Sequence, residues 1–153
     1  NRLDLARESY VRQVEIAPDD PVAHYSVGSV NWMIVFSELP RLTAAIAEED
    51  EAEESEGEIN PDARTFDEVA SLIEEGQMHL DRALELRDTY EDAMSYKNLL
   101  YRQSAELISL DTEDEEALAQ REELLAMADD WFNRALETRQ RNAELAAAGL
   151  AVE

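Results

Sequence analysis

The sequence predicts an all-α chain, and three observations carry that prediction. Apolar residues recur at spacings of three and four through most of the 153 residues, the period of a helix face. Gly and Pro, four each, are scarce among abundant Ala, Glu and Leu, which is a helical balance. No segment alternates apolar and polar residues, so no sheet is expected. The length fits one domain spanning 1–153, and an apolar content of 44% suffices for a core.

The elements follow in order. Leu3, Ala6, Tyr10, Val14 and Ala17 share one helix face. Pro18 ends that helix, and APDDP reads as a turn. A second helix is expected from Pro21 to Glu38, because Pro suits a first turn whose N–H has no partner. Pro40 is expected to stop or kink it. RLTAAIAEE reads as a short helix that dissolves into the acidic run AEEDEAEESEGE, where eight of twelve residues are Glu or Asp. Like charges repel along that run, and Gly57 and Asn60-Pro61 break it. Residues 39–64 are therefore expected to be a partly disordered acidic insertion.

Thr65 and Glu68 fit a capping box, with each side chain bonding the other's backbone N–H. The helix after it runs to about Arg87, with Val69, Leu72, Ile73, Leu80, Ala83, Leu84 and Leu86 as its apolar face. Another helix spans roughly Glu91 to Leu110. Thr112 with Glu115 reads as a second capping box. The chain is then periodic to about Ala148, with Leu118, Leu124, Leu125, Ala128, Trp131, Phe132, Ala135 and Leu136 as candidate core.

The formal net charge is −24, from 13 basic and 37 acidic residues. It argues against nucleic acid, which rewards Lys and Arg, and against anionic lipid. The plain reading is solubility or a salty or acidic habitat, and the functional one is attraction of basic partners. Cysteine is absent, which excludes disulfides and thiolate chemistry. The longest apolar stretch, VGSVNWMIVF, is far shorter than the roughly 18 residues a membrane span needs, so no membrane insertion is expected. The chain opens on Asn1 rather than Met, so its compartment stays open.

A repeat lies beneath this pattern. ARESYVRQVEIAP, GQMHLDRALELRD and AMADDWFNRALET align. In each, a small residue (Ala6, Gly76, Ala128) precedes a large one by four (Tyr10, Leu80, Phe132), and the next inward position follows three later (Gln13, Ala83, Ala135). A small residue lets a neighbouring helix approach, and the large one fills the gap. The segments PVAHYSVGSVNW and EDAMSYKNLLYR align 70 residues apart, Ala23 with Ala93, Gly28 with Asn98, and Asn31 with Tyr101.

These patterns resemble the tetratricopeptide repeat superfamily, whose unit of about 34 residues is a pair of antiparallel helices. Val27-Gly28 stands at its Leu-Gly position. Lys97, Asn98 and Asp88 depart from its Leu, Gly and closing Pro. The chain is also similar to a group of tetratricopeptide proteins of Acidobacteria, in which a stretch like IEEGQMHLDRALEL followed by YEDAMSYKNLLYRQ recurs after a long charged interruption. The resemblance covers roughly residues 5 to 140. It implies a right-handed solenoid of about two and a half repeats. The first unit contributes only its second helix, so a further helix upstream is expected. Gly28 to Gly76 is 48 residues and Asn98 to Ala128 is 30, against about 12 in the family. Both insertions fall between the two helices of a unit, and two acidic excursions are expected on one side of the molecule.

Enzyme chemistry finds little support. His24 and His79 are the only histidines, and both read as packing or surface residues. His79 follows Glu75 by four, but di-iron bundles need two Glu-x-x-His pairs. Neither a catalytic triad, a phosphate loop nor a nucleophile elbow is present. DTEDEEALAQRE lacks the Gly of a calcium loop, and any divalent binding by residues 48–58 is expected to be weak and unspecific. No metal or cofactor is expected.

The reading is thus a non-enzymatic interaction module that takes a protein or peptide, with basic character favoured, in the concave groove that first helices line in the resembled family. Tyr25, Ser29, Trp32 and Met33 form one stripe, and Ser95, Leu99, Arg102 and Gln103 extend it, since residues three or four apart share a face. Aromatic, Met and Arg residues suit peptide capture. The same aromatics also fit simple packing between helices. The alternative is a structural or assembly subunit that self-associates, because solenoid ends expose apolar surface.

Overall fold

The computed structural model describes residues 2–51, 64–111 and 114–150. They form five helices, α1 (Arg2–Ile16), α2 (Pro21–Glu51), α3 (Phe66–Leu86), α4 (Glu91–Asp111) and α5 (Glu115–Ala147), with no strand among the described residues. The all-α expectation holds. Each helix packs on the next in sequence, and α2 also touches α4.

Side-chain pairs fix the directions. Across α2 and α3, His24 meets His79 and Asn31 meets Leu72, so the two run antiparallel. Across α4 and α5, Glu91 meets Arg139 and Arg102 meets Asp129. Lys97 of α4 pairs with Asp81 of α3, whereas Leu100 lies against Gly76. The helices alternate, and α2 and α4 point the same way. Their C-terminal ends therefore lie at one end of the molecule. The second acidic excursion expected from the sequence, ISLDTEDEEALAQ, is not an excursion: its residues up to Asp111 belong to α4 and those from Glu115 to α5. The run 48–58 itself lies outside the residues whose side chains are described.

Two glycines set the spacing of the middle helices. A Cβ on Gly28 would come within 2.5 Å of Leu80 Cγ, and one on Gly76 within 2.9 Å of Leu100 Cδ1. Leu80 and Leu100 are fully buried, as are Val27, Val30, Ile34 and Val69. Each such side chain contributes on the order of 1.5–3 kcal/mol through burial. The alternation of small and large residues thus works across α2, α3 and α4.

Three sequence expectations are corrected. Helix α2 does not end at Glu38; it continues through Pro40 to Glu51, so residues 39–51 of the expected insertion are helical. Pro40 loses one backbone hydrogen bond, but Leu39 and Leu42 beside it are buried in the core and hold the helix on course. The N-cap of α5 is Asp114, whose carboxylate accepts from Ala117 N at 2.8 Å, rather than Thr112, which lies outside the described residues. Gln13 is exposed, not inward. By contrast the Thr65 box forms as expected, with Thr65 N donating to Glu68 Oε2 at 2.8 Å and Glu68 N to Thr65 Oγ1 at 3.3 Å.

Candidate interaction surface between α2 and α4

The faces of α2 and α4 that meet carry a continuous set of rings. Tyr25 lies 5.0 Å from Tyr90 and 5.5 Å, edge-on, from Tyr96. Trp32 stands edge-on to Tyr96 at 5.5 Å and stacks on Phe36 at 5.3 Å. Edge-to-face and offset pairs at these separations add about 0.5–1.5 kcal/mol each beyond burial. The inner rings of Tyr25, Trp32 and Tyr96 pack on the core. The outer end does not: Phe36 is 66% exposed and Met33 37%. A large apolar ring this open, continuous with a partly buried array, is what a docking surface offers.

Burial first, and then the nearby Tyr96 and Asp92, hold the Tyr25 hydroxyl well above its ordinary range. Burial likewise raises Tyr90, with Asp92 and Asp20 adding to it against the opposing Arg87. Both phenols stay neutral and keep an O–H to donate.

The sequence-expected stripe is brought together in part. Tyr25, Trp32 and Met33 lie along it. Ser29 is buried, with its hydroxyl donated back to Ser26 O at 3.1 Å, and Ser95 donates to Glu91 O at 3.0 Å. Neither hydroxyl faces outward as a free donor. Leu99 is half-buried. Arg102 is a correction: it turns to α5, donating to Asp129 at 2.7 Å and to Asn98 of its own helix at 2.9 Å. Gln103 takes the inner position instead, with Nε2 on Trp32 O at 3.1 Å. The residues missed are Phe36, Tyr90 and Tyr96. Tyr96 follows Asp92 by four and precedes Leu99 by three, a spacing that already marks one face.

The residues expected to pack repeats also divide. Gly28, Gly76, Leu80, Ala83, Ala128 and Ala135 are buried, and Ala6 and Tyr10 of α1 pack half-buried on the core. Phe132 is a correction, at 47% exposed. It matches Leu80 in the pattern, but Asn98 stands in α4 where α2 has Gly28.

Three polar clusters hold the scaffold. Asn31, fully buried, donates to Leu72 O at 3.0 Å and to Glu75 Oε2 at 2.7 Å. Arg7 of α1 reaches both Glu75 oxygens at 2.7 and 2.6 Å and Asn31 Oδ1 at 3.1 Å. Burial would raise the Glu75 carboxyl, but the bonds from Arg7 and Asn31 and the charge of Arg7 outweigh it, and the group sits below its ordinary value. Asn31 is thus the hub of a polar lock joining α1, α2 and α3.

The histidines form the second cluster, with their Nδ1 atoms 2.9 Å apart and His24 Nε2 2.9 Å from Pro18 O. A carbonyl only accepts, so His24 carries its proton on Nε2. Its Nδ1 then accepts from His79 Nδ1–H. Burial chiefly, then His24, lowers the His79 pKa, against the pull of Glu75.

The only lysine is the third. Lys97 is 2% exposed, pairs with Asp81, and lies 4.8 Å from the Trp131 ring centre. Arg134 covers Trp131 at 4.0 Å.

No family model matches this chain, and no curated protein or solved structure matches it. No helix of the described residues is long and apolar enough to cross a membrane.

Proposed function

We propose that this chain is a non-enzymatic interaction module, a stack of tetratricopeptide-like helix pairs that holds a peptide or protein segment on the ring-lined face of α2 and α4. The observation that carries the reading is the run Tyr25–Tyr96–Trp32–Phe36, rigid at its inner end and open at Phe36. Rigid aromatics present large contact area at low entropic cost, and such residues dominate binding energy at interfaces. The α2–α4 contact and the Gly28–Leu80 and Gly76–Leu100 fits support a repeat stack of the resembled kind, right-handed and about two and a half units long. The histidines are occupied with each other and with Pro18 O, which supports a structural rather than catalytic role for them.

Capture from a lysate of the source organism tests the reading. Phe36→Ala, on the open end, and Tyr25→Ala with Trp32→Ala, on the inner end, are expected to lose the partner that the parent retains, with helical circular dichroism preserved for Phe36→Ala. A partner held equally by the parent and Phe36→Ala would remove the assignment.

A second reading, a self-associating assembly subunit, draws on α5. Leu118, Phe132 and Leu136 are each about half exposed and share one face of the helix. Light scattering giving a clean monomer at high concentration would remove it.

A further inference from the structure

The rings of this face differ in whether a cation already covers them, and that difference names a partner. Cations cover the Tyr90 end of the face and two rings outside it, Trp131 and Tyr101. Arg87 lies over Tyr90 at 4.6 Å, Arg134 over Trp131 at 4.0 Å, and Lys97 over Trp131 at 4.8 Å and Tyr101 at 5.5 Å. Among the described residues no Arg or Lys lies over Trp32, Phe36, Tyr25 or Tyr96. The nearest sequence candidate, Arg102, is committed to Asp129 on α5.

The electrostatic setting favours a cation there. Asp92 is exposed, sits one turn before Tyr96, and acts on the Tyr25 and Tyr90 hydroxyls. The chain carries a formal charge of −24, which concentrates basic partners and repels acidic ones. The face of an indole or phenol ring attracts a guanidinium or ammonium, most strongly for Trp.

Resting on the reading of this face as a peptide site, we propose that its occupant is an extended segment in which Arg or Lys residues are flanked by apolar ones. One cation covers Trp32 or Tyr96 within reach of Asp92, and the apolar neighbours cover Phe36 and Met33.

Two tryptophans make the test direct, because only Trp32 and Trp131 give indole N–H signals. The probe is a synthetic peptide of alternating Leu, Arg and Gly, compared at physiological salt with the same peptide carrying Gln for every Arg. Trp32→Phe assigns the signals. The Arg peptide is expected to shift the Trp32 indole and not that of Trp131, and to bind about tenfold more tightly than the Gln peptide. Phe36→Ser and Asp92→Asn, both at exposed positions, are expected to weaken it several-fold with unchanged circular dichroism. Equal affinity of both peptides at the Trp32 indole would overturn the cation preference while leaving a peptide groove in place. Binding of the Arg peptide that leaves Trp32 unmoved, or that survives Phe36→Ser, would assign it to charge attraction elsewhere and overturn the proposal. So would the absence of binding by either peptide. Failure of the groove itself is read separately, from a lysate partner that Phe36→Ala still holds.

Discussion

Leu80 of α3 closes over Gly28 of α2, so tightly that a Cβ on the glycine would lie 2.5 Å from Leu80 Cγ. The relationship decides the sign of a familiar substitution. In an open helix Gly→Ala stabilises by about 1 kcal/mol. At Gly28 the clash outweighs that gain, and Gly28→Ala is expected to destabilise by about 1–3 kcal/mol. Denaturant unfolding of Gly28→Ala, Leu80→Ala and the double variant checks it. The double variant should be more stable than the sum of the singles implies; strict additivity would mean that the contact is not close.

The lock between Arg7, Asn31 and Glu75 predicts a buried-polar penalty. Asn31→Ala removes the donor to Leu72 O and to Glu75 and is expected to cost about 1–3 kcal/mol. It also fixes an acid limb. Glu75 is held below its ordinary value of 4.5 in the fold. Its contribution is therefore complete above about 4.5 and is lost as pH falls below it, through the folded pKa. Glu75→Gln should flatten that part of a stability profile, and a profile as steep as the parent's would contradict the assignment.

The histidine pair acts in a different window. His79 is shifted below 6.5, chiefly by burial. The unfolded chain takes up a proton first as pH drops through 6.5, so stability is highest above that point and declines below it. His79→Asn should remove the decline. Proton resonances of the ring should titrate below 6.5; a midpoint above it would refute the neutral pair.

Lys97 predicts an asymmetry. Asp81→Ala leaves an ammonium 2% exposed against the rings of Trp131 and Tyr101, whereas Lys97→Met removes the charge and keeps the stem. Breaking one side of a buried pair costs more than replacing it by an apolar side chain. Because Asp81 is about half exposed, the loss for Asp81→Ala is expected near 1–3 kcal/mol after allowance for solvent screening, with Lys97→Met clearly milder.

The helices and their order were legible because each carries its own apolar stripe and most of its own stop signals. The small–large alternation at Gly28, Gly76 and Leu80 was legible for the same reason. The site was legible only in part. Helical spacing placed Tyr25 and Trp32 on one stripe, but the rotation of α4 is set by its neighbours. Arg102 follows Asp129 on α5, and Gln103 follows a backbone oxygen of α2, so the inner ring became Tyr96. The course of α2 past Pro40 was hidden because a local breaker was outweighed by Leu39 and Leu42 in the core. The meeting of His24 with His79 depends on packing between helices, which no local spacing reports.

We propose the ring face of α2 and α4, rather than the outer face of α5, as the place where a partner binds. A photoreactive phenylalanine analogue placed at position 36, and separately at 118, tests it most directly. A covalent adduct between position 36 and a different protein is expected, with little at 118. Adducts confined to position 118, above all between two copies of this chain, would contradict it and leave the assembly reading in its place.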